Sequence, residues 1–321
     1  MAATISVIIP VRNSRDYLDK CMESVLGQTF TDIEVILAEN KSTDGSVEMC
    51  DGYAAKDSRV RVLHLDTEGQ SAARNAALDV CTAPLVCFID SDDHVETDML
   101  ASLHELMTAY QADIVCSNFF YEHDGVARAN EYDDGKVMVL DKRGTTEKFL
   151  SMEINNSPWS KLIKRSLFDG LRFPEGRLYE DHAIMHRLAY RCDKAVWLRK
   201  SYYYYVQHDG STVHTRTPKK IYDFFLADYD RYSFIGEHRV LLEGDTTRLT
   251  NLEAMRCFKH FRTFMRDRRS DGCRRLRDDM IVKLSDMSHN EKLKPKLRRR
   301  LWAVRRAYWL FYLIHVALRR K

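Results

Sequence analysis

The chain of 321 residues is long enough for one large domain or two ordinary ones, and its hydrophobic content of 45% is sufficient for a sizeable core. Its eight cysteines form no CxxC pair, which argues against a disulfide framework and for buried thiols in a reducing compartment. The net charge of +3 is uneven: Lys292–Lys321 holds eleven basic and no acidic residues, and subtracting these leaves −8 on the preceding residues.

The first 117 residues alternate apolar runs with amphipathic segments. The runs predict strands at Ile5–Pro10, Ile33–Ala38, Val60–Leu65, Leu85–Ile89 and Ile114–Cys116. The amphipathic segments predict helices at Tyr17–Leu26, Ser46–Lys56, Ser71–Val80 and Asp98–Tyr110. Such alternation is typical of βαβ units, so we expect an α/β fold with a Rossmann-like, mostly parallel sheet flanked by helices.

Polar residues follow three of the predicted strands, at the sheet edge where ligands of such folds bind. Asp90-Ser91-Asp92-Asp93 comes directly after Leu85–Ile89, Glu39-Asn40 follows the second strand, and Pro10–Asn13 follows the first. Crowded carboxylates repel one another unless a cation offsets them, and oxygen ligands suit Mg²⁺ or Mn²⁺. This pattern favours a metal ion that is coordinated both by these carboxylates and by the phosphates of a nucleotide diphosphate. The alternative is a solvated Asp-rich turn.

After residue 118 the regular alternation stops. Asn118–Leu140, with two Asp-Gly pairs, predicts a hairpin, and the run Val196–Val206 predicts a strand. Trp159–Leu171 and Asp181–Arg191 are expected to be helical, as is the chain from Pro218 onward. We therefore place a domain boundary after residue 217, with a helical, basic C-terminal region in 218–321.

Ordered motifs over about residues 4–215 resemble glycosyltransferase family 2, whose members have the GT-A fold. They lie at Ile5–Asn13, Ser42–Ser46, Ser71–Asn75, Phe88–Asp93, Trp159–Leu162, Glu180-Asp181 and Tyr204–Ser211. The resemblance implies a nucleotide-sugar half in about 1–117 and an acceptor half in about 118–217. It also implies transfer of a sugar from a nucleotide-diphosphate donor to an acceptor hydroxyl, with inversion at the anomeric carbon.

The resemblance assigns roles to the acidic motifs. Asp92 is expected to bind Mn²⁺ or Mg²⁺ directly, and Asp90 to contact the ribose, or the metal through water. Asp181, paired with Glu180, is expected to be the general base, because a pair of carboxylates can adjust the pKa of one member to suit proton abstraction. The alternative for this pair is two helix N-terminal acids favoured by the helix dipole.

Further residues are expected around the donor and the acceptor. Glu39 would accept a hydrogen bond from uracil N3–H, Arg74 would contact a phosphate or else form a surface ion pair, and Trp159 would stack on an acceptor sugar or else be buried. The remaining donor candidates are Pro10, Arg12, Asn40, Ser91, Gln207 and His208. Three positions depart from the family pattern, namely Arg12 for an aromatic residue, Asn40 for the second member of an acidic pair, and Val206 for an arginine.

The basic amphipathic tail 292–321 is too short in its apolar part to span a bilayer, which takes about 18 or more apolar residues. Arginine clusters beside tryptophan and tyrosine suit a helix that lies on an anionic membrane surface. The alternatives are a docked C-terminal helix or a dimer seam; no nucleic-acid module is evident. No signal peptide is recognised, and the family resemblance implies acceptors at the cytoplasmic face of the membrane. Together with the basic tail, this leads us to expect a cytoplasmic protein, peripheral at the inner face of the cell membrane.

Other functions fit the sequence less well. A nucleotidyltransferase would need a glycine-rich loop after the first strand, where Pro10–Asn13 has no glycine, and no GxGxxG follows a strand as hydride-transfer enzymes require. A non-catalytic scaffold subunit that binds a nucleotide-sugar is the remaining alternative. The resemblance therefore implies a metal-dependent transferase that uses a UDP-sugar and a glycan or lipid-linked glycan acceptor in surface polysaccharide synthesis, with the oligomeric state left open.

Overall fold

The computed structural model describes residues 3–208, 217–242, 246–267, 270, 272–306 and 308. The chain divides into two compact units. One contains Met1–Gly176 and Ile184–Ser211, and the other contains Arg177–Ala183 and Thr212–Lys321.

The first unit is built on a ten-stranded sheet. Its strands are β1 (Ile5–Val11), β2 (Ile33–Glu39), β3 (Val60–His64), β4 (Leu85–Phe88), β5 (His94–Val95), β6 (Ile114–His123), β7 (Val126–Ala129), β8 (Val137–Asp141), β9 (Lys161–Lys164) and β10 (Lys194–Gln207). Its helices are α1 (Leu18–Leu26), α2 (Ser46–Lys56), α3 (Gln70–Val80), α4 (Met99–Tyr110) and α5 (Lys142–Ser151), and α6 (Glu180–Arg191) starts in the second unit.

The strand order is β3-β2-β1-β4-β9-β6-β10-β5, with β7 paired to β6 and β8 to β10. The pairs among β1 to β4 are parallel, as the alternating pattern predicts, and β6 is parallel to β10. Strand β9 runs antiparallel between β4 and β6, so the sheet is mixed beyond β4. The parallel strands carry nearly continuous apolar runs because both faces of this part of the sheet are covered.

The sequence predicts a hairpin over Asn118–Leu140 and a helix over Trp159–Leu171, and the structure agrees with the first in part and not with the second. The Asp124-Gly125 turn does join β6 to β7 as a hairpin, whereas β8 pairs with β10 instead. The prediction of a helix over Trp159–Leu171 is wrong, because this stretch forms β9 and a short 3-10 turn at Arg165–Phe168. Burial of Leu162 and Ile163 in the gap between β4 and β6 outweighs the helical spacing of the apolar residues.

The second unit is helical, as predicted for the chain after Pro218. Its described helices are α7 (Pro218–Glu237), α8 (Thr246–Arg266), α9 (Arg274–Met287) and α10 (Pro295–Arg306). They enclose an aromatic-rich core that includes Phe225, Phe261 and Phe264. All eight cysteines of the chain are free and seven are buried, which confirms the prediction of buried thiols.

Helix α10 makes up most of the described part of the basic tail. Leu301 and Val304 are buried in the core of the helical unit, so this part is docked, as one alternative for the tail requires. Trp302 is 49% exposed. The basic side chains of the helix are also exposed, at Lys296, Arg298, Arg299, Arg300, Arg305 and Arg306. Residue 307 and residues 309–321 of the predicted tail lie outside the described residues. No helix in the described part of the chain has both the length and the hydrophobicity of a bilayer-spanning segment.

Candidate active site

The acidic turn that follows β4 lies at the carboxyl edge of the parallel strands, as the sequence predicts. The Asp90 carboxylate accepts hydrogen bonds from the Arg74 guanidinium at 2.9 Å and from the Gln70 amide at 3.2 Å. Arg74 is buried, so its ion pair with Asp90 is not the surface ion pair that the sequence offered as an alternative. The Ser91 hydroxyl lies 2.6 Å from the Ser14 hydroxyl in a buried position, which fixes the middle of the turn.

Asp92 and His208 lie together at this turn. Nε2 of His208 is 3.1 Å from Oδ2 of Asp92, and the imidazole stacks on Tyr17 with ring centroids 4.5 Å apart. The Asp92 side chain is 37% exposed. Burial, and next the charge of Asp90, raise the pKa of Asp92, while His208 opposes the rise. The turn therefore concentrates negative charge that a cation would stabilise.

Asp93 has a different position, although it shares the motif. Its Oδ2 accepts a hydrogen bond from the Tyr203 hydroxyl at 2.5 Å, and its Oδ1 accepts one from the Val206 amide at 2.8 Å. The same Tyr203 oxygen accepts from the Asp90 amide at 3.1 Å. Asp93 is buried, and burial followed by the charges of Asp92 and Asp90 raises its pKa well above the usual range. It connects the turn to β10, a role that the sequence does not indicate.

The metal-coordinating groups of the turn suit a metal ion that is held partly by the protein and partly by the substrate. In the described part of the chain, no group of three or more His, Cys, Asp or Glu side chains is arranged to hold a metal by itself. Asp90 and Asp92 supply carboxylate oxygens, which Mg²⁺ and Mn²⁺ prefer, and Mg²⁺ is commonly held by one or two carboxylates together with substrate phosphates. The residues present therefore fit such an ion.

The end of β2 contributes two buried polar residues. Asn40 donates to the Thr67 carbonyl at 2.6 Å and accepts from the Gly69 amide at 2.7 Å, so its side chain fastens the loop before α3. Glu39 accepts from the Ser42 amide at 2.6 Å. Contact of either side chain with a nucleotide base stays a prediction.

The remaining candidates of the sheet unit occupy varied environments. Pro10 is buried in β1, next to the sheet edge, while Arg12 is about half exposed and forms a surface ion pair with Glu68 at 2.9 Å. Gln207 is the last residue of β10, opposite His123. Trp159 is only 6% exposed and stacks on Tyr203 at 4.5 Å, so the structure places it in the core, as its alternative interpretation requires.

The second acidic motif starts helix α6 and belongs to the helical unit. Tyr179, immediately before the helix, has a left-handed backbone with φ of 60° and stacks on Phe224 at 4.2 Å. Glu180 is buried, whereas Asp181 is partly exposed and accepts from the His182 amide at 2.6 Å. Asp181 is therefore the more accessible carboxylate of the pair.

Side chains of α7 hold the segment that carries this motif. Asp223 accepts from the Leu178 amide at 3.2 Å, and the Arg177 guanidinium donates to Asp230 at 2.6 Å. These contacts come from residues that are more than forty positions away in the sequence. They fix the chain on the N-terminal side of α6.

A buried His-Asp-His network extends the same support. The two carboxylate oxygens of Asp228 lie 2.8 Å from Nε2 of His182 and 2.9 Å from Nε2 of His260. Burial, and next the charge of Arg231, lower the pKa of His182 to about 4. Both histidines lower the pKa of Asp228 against the effect of its burial. His182 therefore has a structural role within the helical unit.

The model of the family described as glycosyl transferase family 2 matches residues 6–176. The chain belongs to this family. Glycosyltransferase GlyG of Streptococcus pneumoniae is 32% identical over 251 residues, which cover 72% of this chain and 83% of GlyG. Glycosyltransferase GlyA of the same organism is 32% identical over 248 residues, which cover 74% of this chain but only 36% of GlyA. This family 2 protein is therefore a glycosyltransferase.

Among solved structures, residues 1–349 of S. aureus TarS in complex with UDP-GlcNAc match with a TM-score of 0.74. The match covers 95% of this chain and 87% of that one at 21% identity, so it bears on the fold alone. It confirms the predicted GT-A fold of the family 2 chain, with its helical C-terminal region.

Proposed function

We propose that this family 2 glycosyltransferase transfers a sugar from a UDP-sugar to a hydroxyl of a glycan or lipid-linked glycan, with inversion, in cell-surface polysaccharide synthesis. The observation that carries the proposal is the turn after β4, where Asp90, Asp92 and His208 gather at the ligand-binding edge of the sheet. The relatives are named as glycosyltransferases, and TarS, which shares the fold, was solved with UDP-GlcNAc.

We assign the donor to the first part of the sheet unit, about residues 1–117. Asp92 and Asp90 would hold Mn²⁺ or Mg²⁺, and His208, which lies beside Asp92, is assigned to the diphosphate of the donor. When bound, the ion neutralises the charge that develops on the leaving diphosphate. Arg74 and Tyr203 keep the turn in place, since they hydrogen-bond to Asp90. The other assigned contacts to the nucleotide are Pro10, Arg12, Glu39, Asn40, Ser91 and Gln207.

We assign deprotonation of the acceptor to Asp181, because it is partly exposed while Glu180 is buried. The acceptor oxygen forms a bond to the anomeric carbon as the bond from that carbon to the diphosphate breaks, and the acceptor proton passes to the Asp181 carboxylate. With one base and no covalent intermediate, the configuration inverts. Trp159, though buried, stays assigned to the acceptor half, about residues 118–217.

We also propose a peripheral position at the cytoplasmic face of the membrane. Helix α10 exposes six basic side chains and Trp302 on the side that is not docked. Lysine and arginine near an anionic bilayer each contribute about 1 kcal/mol of binding energy. This proposal is independent of the assignment of the donor.

The test is nucleotide release from a panel of UDP-, GDP- and dTDP-sugars with Mn²⁺ and a glycan acceptor. We expect release from a UDP-sugar that requires the metal and falls at least 100-fold in both Asp92→Asn and Asp181→Asn. Asp124→Asn is the matched control, because the Asp124 side chain is 89% exposed in the turn between β6 and β7. Donor binding that is equal in native protein and Asp92→Asn would contradict the metal assignment.

A further inference from the structure

The sheet unit contains a cavity that none of the donor candidates lines. It has a volume of about 420 Å³ and lies beside β6, between the loop that precedes β8 and the turn that follows α5. This volume is within the range of roughly 300–1,000 Å³ that small-molecule sites occupy. The cavity falls in the acceptor half of the chain.

The walls of the cavity are fixed by side-chain hydrogen bonds. The Asn118 amide donates to the Tyr132 carbonyl at 2.6 Å, and its oxygen accepts from the Trp197 indole at 3.0 Å. On the other side, the Asn155 oxygen accepts from the Lys161 ammonium at 2.9 Å. The cavity is therefore largely preformed, as is usual for binding sites.

The lining combines aromatic rings with planar polar groups. Tyr121 is 43% exposed, and its ring packs edge-on against Phe119 at 5.0 Å, which holds it in place. The Tyr132 ring packs edge-on against Trp197 at 5.5 Å. Sugars present apolar C–H faces that stack on such rings, and hydroxyls that pair with amides and carboxylates. Asn130 and Asn155 supply amides of this kind.

The charge of the lining selects among sugars. The described residues around the cavity include Glu131 and Glu153 but no lysine or arginine. The cations that contact lining residues or their neighbours already have partners: Lys161 donates to Asn155, Arg199 pairs with Asp134 at 3.1 Å, and Lys148 pairs with Glu153. A phosphate or uronate in the cavity would meet two lining carboxylates and no lining cation, and such juxtaposition of like charges opposes binding.

We propose that this cavity binds an uncharged sugar residue of the acceptor glycan. The proposal rests on the proposed function, because it specifies the acceptor of that reaction. Tyr121 provides the stacking surface, the amides of Asn130 and Asn155 contact hydroxyls, and the glutamates exclude anionic sugars. The acceptor would thus be recognised at a site distinct from the acidic turn after β4.

The experiment is saturation-transfer NMR on the full chain with UDP and Mn²⁺. One set of probes is neutral oligosaccharides, and the other is oligosaccharides of equal length that carry uronic acids. We expect binding of neutral probes at least tenfold tighter, a loss of at least tenfold in Tyr121→Ala, and near-native binding in Tyr121→Phe. Tyr110→Ala is the matched control, since Tyr110 is 39% exposed on α4, away from the cavity.

A second variant tests the charge argument without removing the ring. Glu131 is exposed, so Glu131→Lys should leave the fold intact and improve binding of the uronate probes. Equal binding of both probe sets, native affinity in Tyr121→Ala, or no oligosaccharide binding would each overturn the proposal. Calorimetry with UDP separates the two ideas. UDP binding without glycan binding refutes only the cavity, and glycan binding without UDP binding refutes only the proposed function.

Discussion

Protonation of His182 should destabilise the helical unit in mild acid. The imidazole is buried against the Asp228 carboxylate, and its pKa is about 4 instead of the ordinary 6.5. Burial is the main cause, followed by repulsion from Arg231, with a smaller contribution from Arg256. The hydrogen bond to Asp228 and the negative charge of Asp228 raise the pKa of His182, but by less than burial and the arginines lower it. His260, on α8, faces the other oxygen of the same carboxylate.

The sign and size follow from linkage. In the unfolded chain the histidine takes up its proton near pH 6.5, whereas in the folded chain it does so near pH 4. As the pH falls below 6.5 the unfolded state therefore binds more protons, and stability falls until about pH 4. The full shift corresponds to about 3 kcal/mol, of which about 2 kcal/mol is lost by pH 5. Above pH 6.5, where His182 is neutral in both the folded and the unfolded chain, this stability is retained.

The measurement is urea unfolding at pH 7 and pH 5, followed by circular dichroism. The native chain should lose about 2 kcal/mol more between these pH values than His182→Gln, which cannot take up the proton. His123→Gln is the control, because the His123 side chain is 66% exposed and should leave the difference unchanged. An equal loss in native protein and His182→Gln would refute this account of the network.

Two further predictions concern the acidic turn and helix α10. Tyr203→Phe should cost about 1–3 kcal/mol of stability, because Oδ2 of the buried Asp93 carboxylate loses its donor and only the Val206 amide remains, on Oδ1. A double-mutant cycle with Asp93→Asn, read by urea unfolding, should show coupling of about 1 kcal/mol, and additive effects would contradict the contact. The full chain should sediment with vesicles that contain phosphatidylglycerol and not with neutral vesicles, and Trp302→Ala should weaken that binding; equal sedimentation with both kinds of vesicle would refute an electrostatic surface on α10.

The sequence predicted best the elements whose pattern is set locally. Strands β1 to β4 and helices α1 to α4 begin and end within one or two residues of the expected positions, because each pairs a buried apolar run with polar ends. The turn at Asp90–Asp93 was found by the same logic. Strand β9 was missed since its short apolar run suits a helix equally well, and only its neighbours β4 and β6 decide between the two.

Roles that depend on distant partners could not be predicted. Asp93 shares its motif with Asp92, yet Asp93 is hydrogen-bonded to Tyr203 and Val206 of β10, whereas Asp92 is partly exposed. Asn40 stands at an expected donor position but uses both ends of its amide to hold the backbone of the loop before α3. In each case the side chain lies at the edge of the sheet where the sequence predicts it. Its role is set by a contact with a distant residue, which the spacing of residues in the sequence does not reveal.

The segment 177–183 shows why the helical region matters to the proposed chemistry. Its motif resembles the acceptor-side segment of a transferase domain, yet its described contacts include Asp223, Asp228 and Asp230 of α7. A base must be held in position to act, and a segment of seven residues has too few contacts of its own to stay ordered against the entropy of the chain. Helix α7 supplies those contacts as three hydrogen bonds, in which the carboxylates of Asp223, Asp228 and Asp230 are the partners of Leu178, His182 and Arg177. The C-terminal helices are therefore best understood as the support of the proposed general base, in addition to any role of α10 at a membrane.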